Sequence, residues 1–279
     1  MQRRGVDCMA NQLGIYEKAF PTALSWSQRL GEARAAGFDF LEISIDESEM
    51  RQERLKWSAS KRHELVHICE ETGMPIDTMC LSGHRKYPLG SADPVTEARS
   101  LEIMQDALAF AADLGIRIIQ LAGYDVYYEE STPDTRARFM ENLERCTEMA
   151  SSYGILLALE TMETPFCNTV EKAMRFVERV NSPYLQIYPD IGNLRNAGEN
   201  VTEDMQTGKG HIVAAHLKET KEGVFRDLHY GEGRVDFSAS IQKLLELGVH
   251  KFNAEFWYDG GDNWREELQC ANRFLRQYL

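Results

Sequence analysis

Short apolar runs recur along this chain, each followed by a longer stretch in which apolar positions return every three or four residues. The runs lie at 13–15, 40–45, 76–81 and 116–121, and again at 155–160, 185–190, 212–218 and 252–256. Short, mainly apolar runs of that size fit strands buried on both faces, as in a parallel sheet. Residues 24–36, 59–72, 95–114, 135–153, 170–180, 237–247 and 264–278 read as amphipathic helices. Gly37, Gly73, Gly115, Gly154 and Gly248 stand where five of those helices should stop, and glycine is favoured just past a helix C-terminus. Eight strand runs alternating with helices over 279 residues predict an α/β fold, a single (β/α)8 TIM barrel spanning 1–279 as one domain. A doubly wound dinucleotide-binding sheet would show a glycine-rich fingerprint after its first strand, and this chain has none.

Composition narrows the partners. The formal net charge is -13, and basic residues come at most in pairs such as Lys61-Arg62 and Arg85-Lys86. A chain this acidic repels a nucleic-acid backbone, so no nucleic-acid partner is expected. No run approaches the roughly 18 apolar residues that cross a bilayer, so no membrane span is expected either. The six cysteines (Cys8, Cys69, Cys80, Cys146, Cys167 and Cys270) show no CxxC pairing. Several of them read as small core hydrophobes, and the set fits a reducing, cytoplasmic setting. The N-terminus begins basic but lacks the apolar core of a signal peptide.

In such a barrel the active site lies at the C-terminal ends of the strands. There the fifth run ends in Glu160, the sixth in Asp190 and the seventh holds His216, while the eighth carries Glu255. A charged group at the end of a buried run costs several kcal/mol to desolvate unless it is paired or binds a metal. Singly, His216 could be a core histidine and Asp190 a turn cap. Together, on four consecutive strand ends, they predict one divalent ion: Mn²⁺, Zn²⁺, Mg²⁺ or Co²⁺. Such an ion can chelate a carbonyl oxygen and a neighbouring hydroxyl, so proton transfer would run through a metal-bound enediolate, with Glu160 and Glu255 as acid and base. Opposite-face transfer at one carbon epimerises; transfer between adjacent carbons isomerises aldose and ketose. Hydrolysis of a phosphodiester, as in barrel-type DNA-repair endonucleases, would need further metal ligands. Glu17, Glu42, Asp46, His84 and Asp125 are the available candidates for those.

At these positions, and over nearly its whole length, the chain resembles the xylose-isomerase-like barrel superfamily. It is most similar to the L-ribulose-5-phosphate / L-xylulose-5-phosphate 3-epimerases, also called hexulose-6-phosphate isomerases. The resemblance is carried by Leu13-Gly14-Ile15-Tyr16-Glu17-Lys18-Ala19, by 81–91 and by 120–125. It is carried most specifically by His216-Leu217-Lys218-Glu219-Thr220, Phe225-Arg226-Asp227 and Gly231-Glu232-Gly233-Arg234-Val235-Asp236-Phe237. The resemblance implies the same four metal ligands, Glu160 and Glu255 as the acid/base pair, and Arg226 on substrate oxygens. Two departures stand out: Asn193, where relatives acting on free ketoses often have histidine, and Glu219, where aspartate is commoner.

A sugar-phosphate substrate needs local positive charge. Lys218 lies two residues beyond His216 and so on the same side of its strand. Lys18, His84, Arg85 and Arg234 fall on other mouth loops. The expected substrate contacts are therefore Arg226, Lys218, Lys18, His84 and Arg85. Tyr16, Tyr124, Trp257 and Tyr258 are candidates for the pocket wall. Other readings of the same ligand set are a free-ketose isomerase or epimerase, a hydroxypyruvate isomerase, an inosose dehydratase, or a sugar-binding barrel without catalysis. The expected assembly is a homodimer or homotetramer.

Overall fold

The computed structural model describes residues 10–279, so Cys8 and the reading of the first nine residues lie outside it. Eight parallel strands form one sheet: β1 (Gln12–Tyr16), β2 (Phe40–Ile45), β3 (Ile76–Leu81), β4 (Ile118–Ala122), β5 (Leu156–Glu160), β6 (Leu185–Tyr188), β7 (Ala215–Leu217) and β8 (Lys251–Ala254). From β1 to β6 each strand pairs with the next, β7 pairs with β8, and β8 returns to β1. The seam between β6 and β7 has only single parallel bridges, Ile187 to Ile212 and Asp190 to His216. Through these the barrel closes.

Helices cover the outside: α1 (Trp26–Ala35), α2 (Glu49–Gln52), α3 (Ala59–Thr72), α4 (Pro94–Leu114), α5 (Pro133–Tyr153), α6 (Val170–Val180), α7 (Ile191–Ala197), α8 (Val201–Thr207), α9 (Phe237–Glu246) and α10 (Trp264–Arg276). Local chemistry sets their ends. The α5 helix opens with a Thr132–Thr135 capping box and Pro133, and closes at Gly154 with φ 65°, a left-handed turn that glycine adopts without strain. Three short helices, α2, α7 and α8, were not visible in the sequence pattern. Helices of four to seven residues are too short to repeat an apolar stripe.

Strand alternation sorts the side chains into two sets. Leu41, Ile43, Met79, Leu81, Ile119, Leu121, Leu157 and Leu159 belong to the main apolar core. The alternate positions in β2, β3 and β4 are polar at the top of the barrel: Glu42, Ser44, Thr78 and Gln120 are all fully buried. Gly14 leaves room for the Phe40 ring, which would overlap a Cβ placed there. Ile118, Ala158, Tyr188 and Ala214 pack together as a further apolar group. The strand ends therefore adjoin a packed apolar interior, and polar groups converge there.

Candidate active site and metal centre

The fold brings Glu160, Asp190, His216 and Glu255 together, with one ligand atom from each lying within 4.8 Å of all the others. Glu160 is the last residue of β5 and His216 the middle residue of β7, while Asp190 and Glu255 lie just beyond the ends of β6 and β8. All four are buried. Asp190 also caps α7, its Oδ1 accepting from the Asn193 backbone N–H at 2.9 Å. The turn-capping and ligand readings of this residue are thus compatible, because each uses a different carboxylate oxygen.

His216 Nδ1 faces the cluster, 2.8 Å from Glu160 Oε1 and 3.4 Å from Glu255 Oε2. Three carboxylates this close repel one another unless a cation sits among them. Of the buried oxygens of the set, Glu255 Oε2 accepts no hydrogen bond and Asp190 Oδ2 is met only by the Lys218 ammonium. Those two oxygens, one further carboxylate and an imidazole nitrogen fit a hard or borderline divalent ion. The Lys218 ammonium supplies part of the compensation, at 2.6 Å from Asp190 Oδ2 and 3.5 Å from Glu255 Oε2.

Protonation follows from the same crowding. Burial lifts the Asp190 carboxyl to about 6, against the pull of Lys218 and with the push of Glu255. Burial would lower His216, but Glu42, Glu255 and Glu160 overcome it and raise the imidazole well above its usual range. Without a metal the ring holds its proton as the cation of the cluster.

The pocket above the cluster is lined by Tyr16, Lys18, Arg85, Lys218, Arg226 and Trp257, with Glu160 and Glu255 at its floor. Arg226 is exposed and its guanidinium lies over the Trp257 ring, 4.8 Å from the centroid. Arg85 is half-buried, 5.1 Å from the Tyr127 ring, and reaches Tyr124 Oη, which itself donates to Glu163. Lys18 lines the pocket while pairing with Asp46 at 2.7 Å. Four of the five expected substrate contacts therefore share one cavity.

His84 is the exception and requires a correction. After β3 the chain turns into a single 3₁₀ turn, Gly83–Arg85, that carries the imidazole beneath α4. There Nε2 lies 3.0 Å from the Ser100 carbonyl oxygen. Burial holds its pKa down at about 4, so the ring is neutral and offers no charge to a phosphate. Among the expected wall aromatics, Tyr16 and Trp257 line the pocket. Tyr124 stands behind Arg85, and Tyr258 packs against the apolar core.

The further carboxylates that a multi-metal nuclease would need are engaged by protein groups. Glu17 is held by Arg29, Arg54 and the Ser44 N–H, and Asp46 by Lys18, Arg51 and Ser48. Asp125 accepts from Ser131 and Thr135. Glu42 is closed off by four donors, among them His216 Nε2 at 2.7 Å. Among the described residues a single cluster has the makings of a metal centre.

Sequence reasoning missed Gln120, whose side-chain amide donates to Glu160 Oε2. It also left Asn193 without a place. That side chain donates to the Thr161 carbonyl at 2.8 Å and leaves a buried, unpartnered Oδ1 in a residue lining the pocket. The sequence signal for Gln120 is a polar residue inside an apolar strand, and for Asn193 only its departure from the histidine of free-ketose relatives.

Comparison with known proteins agrees in fold and chemistry. The family described as xylose isomerase-like TIM barrel matches residues 30–278. The chain is 45% identical over 265 residues to the L-ribulose-5-phosphate 3-epimerase UlaE of Escherichia coli (strain ATCC 8739), covering 95% of this chain and 93% of that protein. It is 44% identical, with the same coverage, to the UlaE of Salmonella paratyphi A. Among solved structures, D-psicose 3-epimerase from Clostridium cellulolyticum H10 superposes with a TM-score of 0.82 at 18% identity, over 96% of this chain and 99% of that one. An L-ribulose 3-epimerase superposes with a TM-score of 0.75 at 19% identity, over 97% and 93%. At those identities the structural likeness speaks for the fold.

Proposed function

The chain belongs to the xylose isomerase-like TIM barrel family, and from that premise we propose that it is a divalent-metal-dependent 3-epimerase interconverting L-ribulose 5-phosphate and L-xylulose 5-phosphate. The observation that carries this reading is the convergence of Glu160, Asp190, His216 and Glu255, two of which, Glu160 and Glu255, line a pocket walled by Lys18, Arg85, Lys218 and Arg226. The near full-length likeness to proteins named L-ribulose-5-phosphate 3-epimerase supports the choice of sugar.

The ion, which the donor set suits as Mn²⁺, Zn²⁺, Mg²⁺ or Co²⁺, would polarise the C2 carbonyl and the C3 hydroxyl and so acidify the C3–H bond. Glu160 and Glu255 belong to strands three apart in the barrel, and address the substrate from two sides. One takes the C3 proton; the other returns a proton to the opposite face, inverting C3, and the roles exchange in the reverse reaction. Gln120 fixes Glu160 through Oε2, which leaves Oε1 on the cluster side. Lys218 offsets negative charge beside Glu255 and Asp190. Arg85 and Arg226, both pocket-lining guanidinium groups, suit the phosphate and hydroxyl oxygens, since arginine binds such oxygens in bidentate fashion. Tyr16 and Trp257 shield the reacting carbon from water.

The test is proton exchange in D₂O followed by NMR, using chelated protein reloaded with each ion. Metal-dependent deuterium uptake at C3 of L-ribulose 5-phosphate is expected. Glu160→Gln or Glu255→Gln should lower turnover by about 10²- to 10⁴-fold, the usual weight of a positioned acid or base. Exchange at C1 instead of C3 would replace the epimerase with an aldose–ketose isomerase on the same site.

A further inference from the structure

Glu42 lies in the middle of β2, fully buried, yet it is a carboxylate in the barrel interior. Four side chains from four other strands close on it. Thr78 Oγ1 of β3 donates to Oε2 at 2.8 Å, and Tyr188 Oη of β6 donates to the same oxygen at 3.1 Å. Asn253 Nδ2 of β8 donates to Oε1 at 2.8 Å, and His216 Nε2 of β7 lies 2.7 Å from Oε1. A carboxylate with this many donors acts only as an acceptor, so the proton between it and the imidazole sits on Nε2. The opposite ring nitrogen, Nδ1, is the one that faces Glu160 and Glu255.

The geometry points to Glu42 as the positioning residue of the metal centre: it holds the proton on His216 Nε2, so that Nδ1 is the nitrogen that gives up its proton and offers its lone pair when an ion enters the cluster. This rests on the reading of Glu160, Asp190, His216 and Glu255 as the metal ligands. A histidine ligand needs its tautomer and ring plane set before the ion arrives, and a carboxylate on the far nitrogen does both while making the ring a stronger donor. The other contacts of Glu42 have a distinct task. Thr78 and Tyr188 hold Oε2, so that Oε1 cannot swing away from the ring, and Asn253 shares Oε1 from the strand that leads to Glu255. Glu42 thus ties β2, β3, β6 and β8 to the orientation of one imidazole on β7. A residue serving only to fill the barrel would not need a charge there, since a buried carboxylate is expensive unless several donors meet it.

The test is Mn²⁺ affinity, read from the free-ion EPR signal, for the full-length protein after chelation. Glu42→Gln keeps the shape and removes the charge; it should weaken Mn²⁺ binding by about 10- to 100-fold, as loss of such an outer carboxylate does elsewhere. Thr78→Val removes one donor from Oε2 but leaves the imidazole contact, and should stay within about threefold of the parent. The role is overturned if Glu42→Gln binds as tightly as the parent, or if Thr78→Val loses as much. A second reading needs no variant and stands even if Glu42→Gln does not fold. In the Zn²⁺-loaded parent, nitrogen-15 NMR of the histidine rings should show His216 protonated at Nε2 and metallated at Nδ1, and the reverse tautomer would sink the proposal. Asp190→Asn separates the two levels. If it binds Mn²⁺ like the parent, the metal site itself is misplaced; if it loses Mn²⁺ while Glu42→Gln does not, only the positioning role falls.

Discussion

Asp190 answers to two elements at once, capping α7 with one oxygen and facing the ligand cluster with the other. Its burial sets a pH dependence whose sign can be worked out. The carboxyl sits at about 6 in the folded protein, above the ordinary value of 3.8. In the metal-free state this group's stabilising contribution is therefore present at pH below about 4 and is lost as pH rises through about 6. Cation binding runs the opposite way, because it needs the ionised carboxylate and a bare Nδ1 on His216. Mn²⁺ affinity is expected to fall steeply below about pH 6, by roughly tenfold per unit for each proton displaced, and to climb above it. Titrations at pH 5, 6, 7 and 8 at constant ionic strength check this, and a flat profile would contradict it. The four residues of the proposed metal site were legible in the sequence, because acids and a histidine at the ends of four buried runs are costly to desolvate unless paired or shared with a cation. Glu42 was legible only as one more acid on a strand. The residues that give it its place, Thr78, Tyr188, His216 and Asn253, are 36 to 211 positions away. His84 misled for the converse reason: its position at the end of β3 was right, but one 3₁₀ turn decided which way the ring faced.

At the level of elements, the segment between β7 and α9 is the one whose motif was visible and whose logic was not. Glu219, nearly fully buried, accepts backbone N–H groups from Thr220, Gly231 and Val235, at 3.0, 2.9 and 3.2 Å. It clamps both ends of the loop that carries Arg226 into the pocket. The clamp explains Gly233, where an added Cβ would overlap both Glu219 Oε1 and the Thr220 carbonyl oxygen. The carbonyl is backbone and cannot step aside. Gly233→Ala should therefore cost about 1–3 kcal/mol of stability by overpacking. Glu219→Gln should raise KM several-fold, as the charge-assisted backbone bonds weaken and Arg226 loses its fixed approach. Mn²⁺ affinity should not follow, because neither change touches a ligand. Steady-state kinetics beside metal titration would show this split, and a parallel loss of both would mean the loop supports the metal centre directly. The long helices and central strands were readable from periodicity and glycine stops. The short α7 and α8 were not, since Asp190 and Asn200 begin segments with no repeating apolar face.

For the whole barrel, the weak point and the proposed metal centre coincide. Seven strand boundaries are continuous parallel ladders, whereas β6 and β7 meet through two single bridges, one of them joining Asp190 to His216. Both residues of that bridge belong to the ligand cluster, and Glu160 and Glu255 come from the strands on either side. An ion held by all four would thus staple β5, β6, β7 and β8 across the seam that backbone hydrogen bonding leaves thinnest. Mass action gives the size of the effect: at a hundredfold excess over Kd, binding to the folded state alone stabilises by about 2.7 kcal/mol. For a chain of this size that corresponds to a rise in Tm of roughly 5 °C. The location of the change is the sharper expectation. Hydrogen exchange of the chelated protein, with and without Mn²⁺, should slow most in 185–190 and 212–218. The β2–β4 ladder, far from the seam, should change least, because local openings there leave the ion in place. Uniform slowing over all eight strands would mean that the barrel opens as one unit and that the ion stabilises it without regard to where the seam lies.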